Sequence, residues 1–167
     1  RDYYAAPSKT DTLDSKYLTW VTKVNQMSSM ADDLHLQKLK GQALALRLEQ
    51  LLGLPPSADT TRMFMVLQVK REDLFRPCRD PEINDCECIS SFPEGAYGPS
   101  NEAYLPVYES IIASTKGFPW TRMGYTFDWN AKNKTHFGMS EYVIRQGAVV
   151  QIVSKTPTEA WIDSLGN

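Results

Sequence analysis

The hydrophobic period of this chain runs from helical to strand-like along its length. That order restricts the fold more than any other feature. Leu36, Leu39, Ala43, Leu44, Leu48, Leu51 and Leu52 recur at three- and four-residue spacing and share one helical face. Asp32 or Asp33 opens this helix, Gly53 caps its end, and Pro55-Pro56 prevents its resumption. Upstream, Tyr17, Trp20, Val21, Val24 and Met27 predict a shorter helix capped by Asp14 or Ser15, with Ser28-Ser29-Met30-Ala31-Asp32 as the break between the two. Residues 1–13 are polar and aperiodic and read as a tail. The C-terminal third alternates instead. Tyr125, Phe127 and Trp129 occupy every second position, and Ser140–Arg145 and Ala148–Val153 flank Gln146-Gly147 as a predicted hairpin. Between these halves, the nearly continuous apolar run Met63–Val69 predicts a strand covered on both faces. Residues 101–115 predict a helix in which Pro106 forces a late start or a kink. Thr156-Pro157-Thr158-Glu159 predicts the start of a terminal helix carrying Trp161 and Ile162.

Helices that lead and strands that trail predict an α+β fold, not an alternating β-α-β one. The expected architecture is an N-terminal helical pair packed on a mainly antiparallel sheet, with a cysteine-containing loop. After the tail, residues 14–167 form a single domain, 14–56 its helical part and 62–167 its mixed sheet part. The chain has 167 residues, 42% of them hydrophobic, so a folded form buries roughly 70% of the surface of its unfolded form. One ordinary core follows without help from a metal. Eighteen basic residues against 20 acidic ones leave a net charge of −2, which is not the footprint of a nucleic-acid binder. No run approaches the ~18 apolar residues that span a bilayer, so membrane insertion is not expected.

The three cysteines, Cys78, Cys86 and Cys88, fall in one polar, turn-rich segment. A disulfide from Cys78 to either Cys86 or Cys88 fits it. The spacing C-x7-C-x-C lacks the C-x2-C rhythm of a zinc site, and His35 and His136 are remote in sequence, so no metal is expected. A disulfide implies secretion or the periplasm.

The familiar catalytic signatures, G-x-S-x-G, the P-loop, H-E-x-x-H and G-x-G-x-x-G, are absent. Titratable and aromatic residues concentrate in Gly117–Arg145. Glu141 starts a predicted strand beside a loop, where a carboxylate can line a pocket. His136 lies in a loop and is the better of the two histidines for acid–base work. Arg122 supplies a cation, and Tyr125 and Trp129 supply aromatic walls. His136 as acid, Glu141 as base and Arg122 on a phosphate would make a metal-independent ribonuclease of the bacterial toxin type. Four Trp, eight Tyr and six Phe equally suit a domain that binds a small ligand or a protein partner. With no catalytic constellation complete, a binding domain is the leading expectation.

Leu74-Phe75-Arg76-Pro77-Cys78-Arg79-Asp80-Pro81-Glu82-Ile83 resembles the opening strand and loop of secreted bacterial ADP-ribosyltransferase toxins. That resemblance implies Arg76 on the phosphate or ribose of NAD, with NAD as substrate and no resident cofactor. It also implies Ser140-Glu141-Tyr142 at the catalytic glutamate strand. Met139 stands two residues before Glu141, where such transferases often carry Glu or Gln, so the resemblance implies NAD cleavage more than transfer to a protein. The C-terminal pattern also resembles small exported bacterial proteins of unassigned activity.

Overall fold

The computed structural model describes residues 9–12, 18–57, 60–85, 87–89, 104–114 and 117–165. Most of the expected tail, Tyr17 and Cys86 lie outside the described residues. The protein is α+β, with helices packed on small antiparallel sheets.

The first sheet has the order β1-β8-β3, from Lys9–Thr12 (β1), Val149–Pro157 (β8) and Met63–Gln68 (β3). The second has the order β2-β7-β4, from Thr19–Val21 (β2), Tyr142–Ile144 (β7) and Leu74–Phe75 (β4). Tyr125–Phe127 (β5) and Phe137–Ser140 (β6) form a separate hairpin. Among the described residues the helices are Val24–Asp33 (α1), Gly41–Leu52 (α2), Tyr104–Ser114 (α3) and Thr158–Leu165 (α4).

Several elements depart from expectation, each for a tertiary reason. Lys9–Thr12, expected in the tail, pairs antiparallel with Val149–Ile152. Thr19–Val21 is a strand and not the first turns of a helix, because it pairs with Tyr142–Ile144. α1 therefore starts at Val24 and runs through Ser28–Asp32, burying Met27 and Ala31 one turn apart. The second helix is shorter than its leucine stripe. His35 takes a left-handed conformation (φ 51°), a 3-10 turn spans Leu36–Lys38, and Lys40 is extended before α2 begins. β3 is an edge strand. Phe64, Val66 and Leu67 are half-buried, and Met63 and Met65 are 45% and 47% exposed. Gln146-Gly147 turns the chain between two sheets, because β2 and β4 already occupy both edges of β7.

The main core lies where α1, α2 and α4 meet. Met27, Ala31, Leu36, Leu44, Leu48, Leu51, Trp161 and Ile162 are buried together, and Phe64 of β3 stacks on Trp161 at 4.3 Å. Each fully buried Leu or Ile here contributes about 1.5–3 kcal/mol. A second cluster, Phe75, Tyr108, Ile111 and Val143, packs α3 on the β2-β7-β4 sheet.

Gly53 joins the helical part to the sheets. Its φ of 67° ends α2 in the left-handed region, with Leu54 N–H donating to Glu49 O at 2.8 Å. A Cβ at this position would stand 3.1 Å from Pro119 O and 3.2 Å from Phe127 O. Thr126 reinforces the joint. Its hydroxyl donates to Leu51 O (2.6 Å) and accepts from Met139 N–H (2.8 Å).

Cys78 and Cys88 form a disulfide across a separation of ten residues, one of the two pairings expected. A loop of this length contributes about 2–3 kcal/mol. Cys88→Ser is expected to lower the unfolding free energy measured in urea by that amount and to raise the slope, because the uncrosslinked unfolded chain is less compact. Reduced wild-type protein is expected to lose the same amount.

Candidate functional site

The register of the second sheet assembles the site. Val21 pairs with Tyr142, so the next residue, Thr22, falls across from Glu141. Phe75 pairs with Val143, so Arg76 falls beside Tyr142. Trp20, Phe75 and Val143 lie on the face under α3, and Trp120 joins them from the loop before β5. Trp20 and Trp120 meet edge to face at 5.8 Å, and Tyr108 of α3 lies 6.3 Å from Trp120.

Glu141 sits in the break between β6 and β7. Its backbone N–H donates to Gly124 O at 2.8 Å, which fixes it at this end of the sheet. Burial pushes its carboxyl up from an ordinary 4.5 to about 7, and the nearby Trp120 indole N–H pulls the other way. That N–H favours the charged form without completing a hydrogen bond of normal geometry. Thr22 Oγ1, Trp120 Nε1 and Glu141 Oε2 are each shut off from solvent with no hydrogen-bond partner among the described residues. Buried polar atoms are nearly always paired, and an unpaired one costs about 1–3 kcal/mol. Thr22 falls across from Glu141 and the Trp120 N–H acts on its carboxyl, so the three lie together, with none in a hydrogen bond of full geometry among the described residues.

Arg76 serves the opposite face. It is 1% exposed, and its guanidinium lies 5.4 Å from the Tyr125 ring centroid and 5.6 Å from that of Tyr142. It donates to Gly124 O at 3.2 Å. Gly124, at φ 70°, permits this approach, since a Cβ there would stand 2.6 Å from Arg76 Nε. Arg76 and Glu141 thus share Gly124 O as an acceptor while belonging to different sides of the sheet. Arg76 is buried, so a dinucleotide phosphate would reach it only after surrounding groups move.

The remaining sequence candidates serve other ends. His136 stacks on Phe127 at 4.9 Å, and its Nδ1 lies 2.8 Å from Asp128 O. Its backbone N–H donates to Asn133 Oδ1, which fastens the loop after β5. His136 and Glu141 bracket β6 at opposite ends, five extended residues or roughly 16 Å apart, so they do not converge. Arg122 is exposed in a tight turn, with φ 60°. Tyr125 packs on Phe137 at 5.5 Å as well as on Arg76. The Trp129 indole donates to Leu54 O at 2.9 Å and ties its loop to the end of α2.

Glu141 stands out in the sequence, Trp120 only as a member of the Gly117–Arg145 stretch, and Trp20 and Thr22 not as site residues. The two N-terminal ones were hidden by the helical spacing of Tyr17–Met27. The available signal for Trp120 was its place in Phe118-Pro119-Trp120, a short apolar run between turns.

A second concavity, of about 250 Å³, lies between α2 and β3. Its buried polar residue, Glu49, is satisfied by Ser57 N–H (3.1 Å), Ser57 Oγ (2.7 Å) and Arg62 (3.3 Å). Among the described residues no helix is long and apolar enough to cross a membrane, and no group of three His, Cys, Asp or Glu could hold a metal.

The chain matches no family model, no curated protein and no solved structure.

Proposed function

We propose that this is an extracytoplasmic domain that binds a small polar ligand at the end of the β2-β7-β4 sheet. One observation carries the proposal: a hydroxyl, an indole N–H and a carboxyl oxygen are buried together without a well-formed hydrogen bond among the described residues, beside an aromatic cluster. Natural sites spend stability in this way where a ligand completes the hydrogen bonding. The Cys78–Cys88 disulfide supports an oxidising compartment.

The test follows the Trp120 indole N–H resonance during titration with fragments: amines, amides, polyols, carboxylates and NAD. At least one class is expected to shift it saturably, and Glu141→Gln is expected to weaken that binding at least tenfold. Shifts confined to other tryptophans would end the proposal. Nicotinamide release in the NAD arm, lost in Glu141→Gln, would replace binding with NAD cleavage.

A further inference from the structure

The groups around Glu141 go further than the statement that something binds. The site holds a carboxyl with one unpartnered oxygen and two indoles set edge to face at 5.8 Å. A tyrosine ring stands 6.3 Å from the second indole. Aromatic faces attract a cation, most strongly when water is excluded. The carboxylate adds a full charge to the same spot.

Among the described residues, the protein's own cations nearby do not serve this purpose. Lys23, just after β2, lies 4.9 Å over the Tyr142 ring, and Arg76, just after β4, also lies over that ring. Arg122, ahead of β5, is exposed in its turn. The titratable group of α3 at this cluster is Tyr108. Burial and the Trp120 N–H set the protonation of Glu141. A carboxyl enclosed in this way gains most from a ligand that brings its own positive charge.

We infer that the ligand of this site is an organic ammonium ion, held by the Glu141 carboxylate within the Trp20, Trp120 and Tyr108 rings. The inference rests on the binding proposal above and specifies its ligand. Thr22 Oγ1 accepts from an ammonium N–H. The apolar part of the ligand lies against the indoles.

Propylammonium and trimethylammonium are the probes, with 1-propanol, tert-butanol and propionate as controls of similar size. Each is titrated into the full oxidised chain while Trp fluorescence and the Trp120 indole resonance are followed. The ammonium ions are expected to bind saturably at pH 8. A carboxyl titrating at about 7 makes that binding about thirtyfold weaker at pH 5.5, where Glu141 is protonated. Glu141→Gln is expected to abolish the pH dependence along with most of the affinity. Thr22→Val, a smaller perturbation that keeps the fold, is expected to weaken propylammonium more than trimethylammonium, which has only one N–H to offer. If the alcohols bind as well as the ammonium ions, with Glu141 dependence, the ligand class is wrong and the binding proposal stands. If no probe and no fragment shifts Trp120, both fall.

Discussion

Asp128→Asn is expected to cost about 3 kcal/mol of folding stability at neutral pH, at the lower end of what breaking a buried ion pair costs. The Asp128 side chain is 2% exposed, and its partner Arg47 is 14% exposed. The guanidinium engages both carboxylate oxygens, at 3.0 and 2.8 Å. Asn130 N–H (3.0 Å) and Asn133 Nδ2 (3.1 Å) complete the shell. Burial alone would raise the Asp128 pKa. The hydrogen bonds from Arg47, Asn133 and Asn130, with the Arg47 charge, outweigh it and hold the carboxyl below its usual 3.8. The stability is therefore present above the unfolded value and is lost as pH falls through the lower, folded one. The asparagine variant keeps the size but leaves Arg47 half-enclosed and uncompensated. Arg47→Met combined with Asp128→Asn is expected to lose less than Asp128→Asn alone, because the stranded charge is gone. Urea unfolding at pH 7 measures all three proteins. A loss under 1 kcal/mol in Asp128→Asn would show that the pair does not anchor the loop from Asp128 to His136.

That loop shows how much of the molecule a single sequence exposes. The leucine stripe, Gly53, the helix over Tyr104–Ser114 and the terminal helix with Trp161 and Ile162 were legible because each depends on local periodicity and on residues that end helices. The α+β class and the possible Cys78–Cys88 pairing were legible on the same grounds. β2 was not. Trp20, Val21, Val24 and Met27 fit a helical face, and only pairing with β7 assigns Thr19–Val21 to a strand. The exposure of β3 was hidden because an apolar run does not reveal how many strands flank it. At the site, Glu141 stood out as a carboxylate between loop and strand. Its burial, and its meeting with Trp120 and Thr22, come from contacts more than 20 residues apart in sequence. Arg76 was singled out only by the resemblance of its segment to ADP-ribosyltransferase toxins, and the two tyrosines beside it could not be read from spacing. His136 and Trp129 were chemically eligible, and the structure gives them bonds that fasten a loop.

The same burial makes Glu141 the residue with the clearest pH signature. Its folded pKa of about 7 lies above the unfolded 4.5, so between these values the folded state holds a proton that the unfolded state has released. Stability is then fully present below the unfolded value, declines as pH rises through the interval, and is flat above the folded value. An interval of this size corresponds to about 3 kcal/mol at 1.36 kcal/mol per unit. Other carboxylates and both histidines also titrate, so the informative quantity is the difference between wild type and Glu141→Gln. The variant cannot ionise. It is expected to lack the decline and to be more stable than wild type at pH 8 by as much as about 3 kcal/mol, less whatever its amide loses for want of partners. Trp120→Phe tests the cause. Removing the indole N–H removes the one group that favours the charged form, so the decline should extend to higher pH. Parallel stability curves for wild type and Glu141→Gln would mean that the carboxyl is solvated in the folded state. In that case the unpartnered oxygen would have water, and the ammonium ligand would lose the electrostatic reason for choosing this end of the sheet.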